Sequence, residues 1–182
     1  MQKKSLKTIP EGWKKERRYQ RAGCDLPAYY LLNKSWKPAR AITISAGGAF
    51  LACLPKKIQK EQIIQVQLLI NDRIITALSR VVWINPQKMK NRSGYPYPPG
   101  FAVEFEQISG EDRAELDHLV KKTLRMLRAL NFELNRTPQD REKIKNLFSQ
   151  LRPGESLHLN HIKKVVRLES RHFRVRKTDD LC

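Results

Sequence analysis

The chain lacks a hydrophobic run long enough to cross a membrane. Its best candidate, residues 41–54, is interrupted by Thr43, Ser45 and the Gly47–Gly48 pair, and it falls short of the roughly 20 apolar residues that a transmembrane helix needs. The basic N-terminus has no apolar stretch behind it, so we expect no cleaved secretory signal. These absences predict a cytoplasmic protein with no membrane span.

Cysteine is scarce as well. Cys24, Cys53 and Cys182 are an odd number and lie far apart in the chain, which suits neither a disulfide framework nor a zinc site. His158 and His161 have a spacing found in some metal sites, but neither a cysteine nor a run of acids accompanies them. The sequence therefore predicts reduced, structural thiols, no metal and no cofactor.

Motifs of common catalytic sites are missing too. The sequence contains no Gly-x-Ser-x-Gly turn, no GxxxxGK[ST] phosphate loop and no GxGxxG turn. None of the four histidines accompanies a nucleophile motif. We therefore predict that the protein is not an enzyme.

Acidic residues are half as numerous as basic ones, 18 against 36, which gives a formal charge of +18. An excess of this size favours anionic partners such as nucleic acid, nucleotides or lipid headgroups. Basic residues outnumber acidic ones in residues 1–21 and 136–182, whereas residues 109–135 hold equal numbers of the two. We predict that two basic segments flank a conventional domain.

The middle of the chain has the pattern of short β-strands. Asn71 and Asp72 separate two apolar runs, which is a hairpin signal. A proline-rich loop, residues 85–100, precedes the last run. Strands are predicted at residues 22–32, 42–45, 49–53, 62–70, 73–84 and 101–105. Six short strands separated by turn residues indicate a small barrel or sandwich.

Helical periodicity follows the last predicted strand. The segment 109–112 has the spacing of an N-terminal cap. Apolar residues from Leu116 to Leu134 then recur at i, i+3 and i+4, which predicts a helix that packs one face on the sheet.

A second helix is predicted after the first. It would start within residues 137–140, with Pro138 at its first helical position, and would end at the Pro153–Gly154 pair. Residues 157–177 mix apolar and cationic side chains without a period that assigns an element.

Arginines end the N-terminal basic segment. Arg17, Arg18 and Arg21 stand immediately before the first predicted strand. A guanidinium can hold two phosphate oxygens, or the O6/N7 edge of guanine, in its planar fork, and it can stack on a purine. Three of them where a flexible arm enters a rigid domain predict a clamp for phosphates.

A second polar segment, Thr43–Gly48, lies where a predicted strand ends in a turn. Strand alternation places the side chains of Thr43 and Ser45 on one face, and both hydroxyls can donate and accept hydrogen bonds. The glycines indicate positive φ or close approach by another group, and Gly48 would leave its backbone open to a flat ligand.

Together the two segments resemble the signature of the PilZ domain family. That signature is an RxxxR arm, here Arg17–Arg21, followed about twenty residues later by [Asp/Asn]-x-Ser-x-x-Gly, here Thr43–Gly48. The resemblance covers roughly residues 15–130, and segments 48–51, 81–83 and 100–105 look like later strands of the family.

The resemblance implies a mainly β fold, a six-stranded antiparallel PilZ-type β-barrel followed by an α-helix. Residues 1–16 would be a basic flexible arm and residues 17–134 the PilZ domain. Residues 135–182 would be a basic, partly helical C-terminal extension.

The resemblance also implies a bacterial receptor for the second messenger cyclic di-GMP that changes arm conformation and relays the signal to an unidentified protein partner. The controlled output would be motility, biofilm formation or exopolysaccharide synthesis. In the family, arm arginines hold phosphates and guanine edges, and the second motif contacts guanine. The implied ligand-binding residues are Arg17, Arg18, Arg21, Thr43, Ser45 and Gly48.

Thr43 departs from the family pattern, which has Asp or Asn at this position. A carboxylate or amide receives the N1–H and N2–H donors of guanine better than one hydroxyl does. Loss of a paired polar contact costs about 1–3 kcal/mol. We therefore expect weakened binding rather than no binding.

Two other interpretations remain open. The net charge, the basic residues 167–177 and the aromatic residues Tyr95 and Tyr97 would also suit a nucleic-acid-binding module, and a receptor could contact nucleic acid through its basic extension. A degenerate PilZ domain that binds proteins and no nucleotide is the other interpretation. Thr43 favours it, and the intact arginine arm opposes it.

Overall fold

The computed structural model of the protein describes residues 18–55, 57–86, 89–90 and 96–172, with the backbone alone described at residues 89–90, 96–97, 168 and 170–172. The predicted arm 1–16, Arg17, Tyr95, Cys182 and the basic residues beyond 172 lie outside the described residues.

Strands occupy the first half of the described chain and helices the second half. The strands are β1 (Ala22–Leu32), β2 (Ser35–Ser45), β3 (Gly48–Ala52), β4 (Ile63–Ile70), β5 (Arg73–Asn85), β6 (Met89–Lys90), β7 (Pro96–Tyr97) and β8 (Gly100–Gln107). The helices are α1 (Gly110–Asn135), α2 (Arg141–Leu151) and α3 (Leu159–His172).

Six of these strands close into a barrel in the order β1-β2-β3-β8-β5-β4, and every neighbouring pair is antiparallel. The short strands β6 and β7 pair with each other in the proline-rich loop. The prediction of a six-stranded antiparallel barrel followed by a helix is thereby confirmed.

Two tight turns set the register of the barrel. Asn33 and Lys34 have φ of 52° and 61°, and Asn71 and Asp72 have φ of 47° and 63°. Positive φ at both central residues is the conformation that suits two-residue hairpins, because its twist matches that of the flanking strands. The hairpin predicted at Asn71–Asp72 is confirmed.

Strand β2 is longer than predicted, because it starts at Ser35 instead of residue 42. Its first half is exposed and carries no alternating apolar pattern, so no strand could be predicted there. Backbone pairing with β1 holds it, from Leu32 opposite Ser35 to Pro27 opposite Arg40.

The core of the barrel is filled by alternate residues of its strands, and α1 closes it. Leu51, Val66 and Phe101 are fully buried inside, and Leu116 and Val120 of α1 belong to the same cluster. Ser109 caps α1, since its hydroxyl accepts a hydrogen bond from the backbone N–H of Asp112 at 3.0 Å. The predicted packing of this helix on the sheet is confirmed for its first half.

The second half of α1 belongs to a separate small helical core. Leu130 and Leu134 of α1 pack there with Ile144 and Phe148 of α2 and with Ile162 and Val166 of α3. Helix α1 therefore joins the barrel to the C-terminal extension.

Helix α2 begins later than predicted. Its N-cap is Asp140, whose carboxylate accepts from the backbone N–H of Lys143 at 3.0 Å, and its first residue is Arg141. The prediction that Pro138 takes the first helical position is wrong, because Pro138 precedes the cap. The helix ends at Leu151, just before the predicted Pro153–Gly154 break.

Helix α3 occupies most of the segment that the sequence left unassigned. Its buried residues Ile162 and Val166 lie four apart, but exposed cations at Lys163, Lys164 and Arg167 dilute the pattern.

In the part of the chain that the structure describes, no helix is both long and apolar enough to span a bilayer.

Candidate functional site

The arginine arm runs beside the second polar segment. Gly23 of β1 lies opposite Thr43 of β2, and continuing this register by two residues brings Arg21 opposite Ser45. Opposed residues of antiparallel strands lie about 4.5–5.5 Å apart at Cα and share a face of the sheet. Two segments more than twenty residues apart in sequence thus meet at one edge of the barrel.

Tyr19 extends the same register and lies against Gly47. A Cβ atom added to Gly47 would be 2.4 Å from Cδ2 of Tyr19, so any larger residue would displace the ring. The close approach that the sequence predicted at the glycine pair is therefore made at Gly47 by an aromatic ring of the arm.

Arg113 of α1 holds this contact in place. Its Nη1 atom donates to the carbonyl of Ala46 at 3.0 Å and to the hydroxyl of Tyr19 at 3.3 Å. The guanidinium carbon lies 5.8 Å from the centroid of the Tyr19 ring, which is within the range of a cation–π interaction. The arm, the turn and the helix meet at this residue.

The turn itself is fixed by internal hydrogen bonds. The hydroxyl of Ser45 donates to the carbonyl of Gly48 at 3.1 Å and accepts from the N–H of Gly47 at 3.3 Å. The N–H of Phe105 donates to the carbonyl of Gly47 at 2.9 Å. Ser45 is only 3% exposed, so its hydroxyl shapes the turn from within.

Gly48 is required by packing between strands. A Cβ atom there would lie 2.2 Å from the carbonyl oxygen of Val103 in β8. The glycine thus lets β3 approach β8, a reason independent of any ligand.

The cationic side chains at this edge face solvent. Arg18 and Arg21 are exposed, and Thr43 is half-buried. A guanidinium can hold an anion in its planar fork. Of the site residues that the sequence predicted, Thr43, Ser45 and Gly48 lie along the β2–β3 turn, Arg21 directly precedes the β1 residue that pairs with Ile44, and Arg18 adjoins Tyr19, whose ring contacts Gly47.

Helix α3 lies next to this edge. A Cβ atom on Gly23 would be 3.2 Å from the carboxylate of Glu169. Glu169 forms an ion pair with Arg152, and both side chains are mostly buried. The C-terminal extension therefore docks on the strand that follows Arg21.

A cleft of about 300 Å³ opens beside that ion pair, between the β1–β2 pair and the α2–α3 turn. Its charged lining residues include Asp25 and Glu155 as well as Arg40 and Arg152. Because both signs are present, the cleft does not offer the uniformly positive surface that a dianion needs.

The thiols of the two described cysteines are free and partly buried. The thiol of Cys24 donates to the carbonyl of Ala41 at 3.1 Å, and burial raises its pKa to about 12. Burial also raises the pKa of Cys53. A protonated thiol is neither a good nucleophile nor a metal ligand. Within the described ranges, no three His, Cys, Asp or Glu side chains cluster as a metal site requires.

Comparison with known families identifies the barrel and its arm. The family model described as the PilZ domain matches residues 15–122. The chain belongs to the PilZ domain family. The match includes both motif segments and all six strands of the PilZ barrel, and it ends within α1, so α2 and α3 lie outside it.

Solved PilZ proteins share the fold. The Bacillus subtilis inhibitor of motility MotI/DgrA is 17% identical with a TM-score of 0.50, over 64% of this chain and 52% of that one. Escherichia coli YcgR, solved in complex with c-di-GMP, is 16% identical with a TM-score of 0.51, over 65% of this chain and 50% of that one. The matched region of this chain spans about half the length of each of these proteins. None of the curated proteins compared with the chain matches it.

Two residues at this edge, Tyr19 and Arg113, were not predicted from the sequence, and neither was the contact between the Tyr19 ring and Gly47. Arg113 did leave a signal, because a cation in the first turn of a helix opposes the helix dipole and therefore calls for a partner. The identity of that partner depends on a contact across 94 residues, which no local pattern contains.

Proposed function

We propose that this PilZ protein is a bacterial, cytoplasmic receptor for cyclic di-GMP. The ligand would bind at the edge formed by Arg18, Arg21 and the Thr43–Gly48 segment. Arg17, which lies outside the described residues, enters the proposal through the RxxxR motif. The pairing of Ala22 with Ile44, next to Arg21 and Ser45, is the observation that carries it, because the two motif segments run side by side there.

The chemistry of the edge suits this ligand. Cyclic di-GMP carries two phosphates and two guanines, and a guanidinium can hold either a phosphate or the O6/N7 edge of guanine in two parallel hydrogen bonds. The exposed arginines supply those donors. Thr43 supplies one hydroxyl toward guanine, while Ser45 and Gly48 keep the turn in shape.

The proposed role is a relay that requires no catalysis. A dianion held between arm and barrel would neutralise the arm arginines and change the surface at this edge. A protein partner that reads the changed surface would carry the signal onward. Capture of a partner with the wild-type chain in the presence of ligand, compared with Arg21→Ala, tests the relay.

Calorimetry tests ligand binding. Wild-type protein at near-physiological salt should bind cyclic di-GMP, and Arg21→Ala should weaken binding by about a hundredfold, because charge-assisted hydrogen bonds to a phosphate or guanine are lost. Arg125→Ala is the matched control, since it removes the same charge about 18 Å further along α1 than Arg113.

Two results would contradict the proposal. One is no heat with wild-type protein, and the other is equal affinity of wild type and Arg21→Ala. Thermal denaturation of both variants checks that the barrel is intact. A random oligonucleotide titrated in the same way should bind weakly, and tight binding with a steep salt dependence would instead indicate a nucleic-acid-binding module.

A further inference from the structure

Arg113 is a cation in the first turn of α1, which also contains Glu111 and Asp112. It is the fourth residue of α1, next to the positive end of the helix dipole. Among the described residues its side-chain hydrogen bonds go to an uncharged hydroxyl and a carbonyl, and it takes part in no ion pair there. Its position is therefore explained by the arm and the turn that it joins.

The contact with Tyr19 determines where the last residues of the arm lie. Tyr19 is two residues from Arg21, and its ring contacts Gly47, two residues beyond Ser45. The pairing of Ala22 with Ile44 fixes the backbone on one side of Arg21. The Tyr19 ring, placed on Gly47 and held by Arg113, fixes it on the other side.

We propose that Arg113 is a positioning residue that acts through Tyr19 to keep the arginine arm docked on the turn before ligand arrives. The inference deepens the proposed function, and its prediction about ligand affinity rests on that function. A site that is formed only part of the time binds with an affinity reduced by that fraction. Arg113 would raise ligand affinity without touching the ligand.

A spectroscopic signature tests the docking without ligand. The Tyr19 ring over Gly47 should shift the Gly47 Hα resonances upfield in NMR spectra. Tyr19→Ala and Arg113→Gln should both move these resonances toward ordinary glycine values. Tyr19→Phe should retain most of the shift, because it keeps the ring, and Arg125→Gln is the control for loss of charge from the same helix.

Calorimetry with cyclic di-GMP then tests the consequence. Arg113→Gln should weaken binding about fivefold to thirtyfold, and Tyr19→Ala should do the same. The double variant Tyr19→Ala/Arg113→Gln should bind no more weakly than the single variants, because each single substitution already removes the contact between Tyr19 and Arg113. Tyr19→Phe and Arg125→Gln should bind within about twofold of wild type.

Three outcomes would overturn the inference. Arg113→Gln could leave the Gly47 resonances unchanged, it could bind ligand as tightly as wild type, or the two single effects could add in the double variant. Additivity would mean that Arg113 acts on the ligand independently of Tyr19. If wild-type protein binds no cyclic di-GMP while the Gly47 resonances respond as expected, the proposed function fails and the docking role of Arg113 stands.

Discussion

At the residue scale, Thr43 is the residue on which the strength of the proposed cyclic di-GMP binding would depend. It lies in β2 between Gly23 of β1 and Phe50 of β3, on a strand fixed on both sides. Its backbone is therefore in place for the motif, and what differs from the family is the chemistry of the side chain.

Exchange of Thr43 for the family residue should strengthen binding. Thr43→Asn should tighten cyclic di-GMP binding about tenfold by calorimetry, because an amide oxygen receives the guanine donors better than a hydroxyl. Asn is preferred to Asp because Glu169 already places a carboxylate against Gly23, directly opposite Thr43.

Thr43→Val is the matched control, since it keeps the shape of the side chain and removes the hydroxyl, and it should weaken binding. If all three side chains give equal affinity, guanine does not contact this position, and the account given for Thr43 is wrong.

The candidate site could be proposed from sequence only where the chemistry of a residue type does not depend on the fold. The arginines and the motif glycine could be found because guanidinium chemistry and backbone freedom belong to the residues themselves. The inward role of the Ser45 hydroxyl and the seat of Tyr19 could not, because both depend on which atoms the fold brings within 3–4 Å.

At the scale of elements, a strand or helix could be predicted from the sequence where its apolar residues recur with a regular period. Strand β4 and helix α1 have strong apolar patterns and lie close to where they were expected. The first half of β2 and helix α3 lack such patterns, and they form because neighbouring strands or helices pair and pack with them. Their existence is a consequence of the whole fold.

The cap of α1 gives a test at this scale. Ser109→Ala should lower the free energy of unfolding by about 1 kcal/mol in urea titrations, because it removes the acceptor for the N–H of Asp112. Ser149→Ala is the matched control in the last turn of α2, where the exposed hydroxyl only donates to the carbonyl of Asn146 in the same helix, and the change should be close to neutral because alanine is the better helix former. Equal effects of the two substitutions would show that Ser109 contributes no cap.

At the scale of the whole molecule, the extension is tied to the barrel near the candidate site. The Arg152–Glu169 ion pair lies against Gly23, and Oε2 of Glu169 is buried without a hydrogen-bond partner among the described residues. This contact joins residues 146 positions apart, Gly23 and Glu169, so the sequence predicted a basic extension without predicting where it docks.

Breaking this ion pair should loosen the extension. Glu169→Gln should lower the free energy of unfolding by about 3 kcal/mol in urea titrations, because it leaves the mostly buried charge of Arg152 with Glu155 alone, at 4.0 Å. Glu142→Gln is the control, since it breaks the exposed pair with Lys145, and exposed pairs contribute about 0.5 kcal/mol or less. A loss as small as that of Glu142→Gln would show that the pair does not hold the extension in place.

The most direct test of cyclic di-GMP binding at the arm and the turn is a titration of the ¹⁵N-labelled full chain, followed by amide NMR at near-physiological salt with GMP as the control nucleotide. The account predicts saturable shifts for amides of residues 18–23 and 43–48, little change in α2, and no saturation with GMP over the same concentrations. Unchanged spectra, or shifts confined to the helical extension, would contradict it.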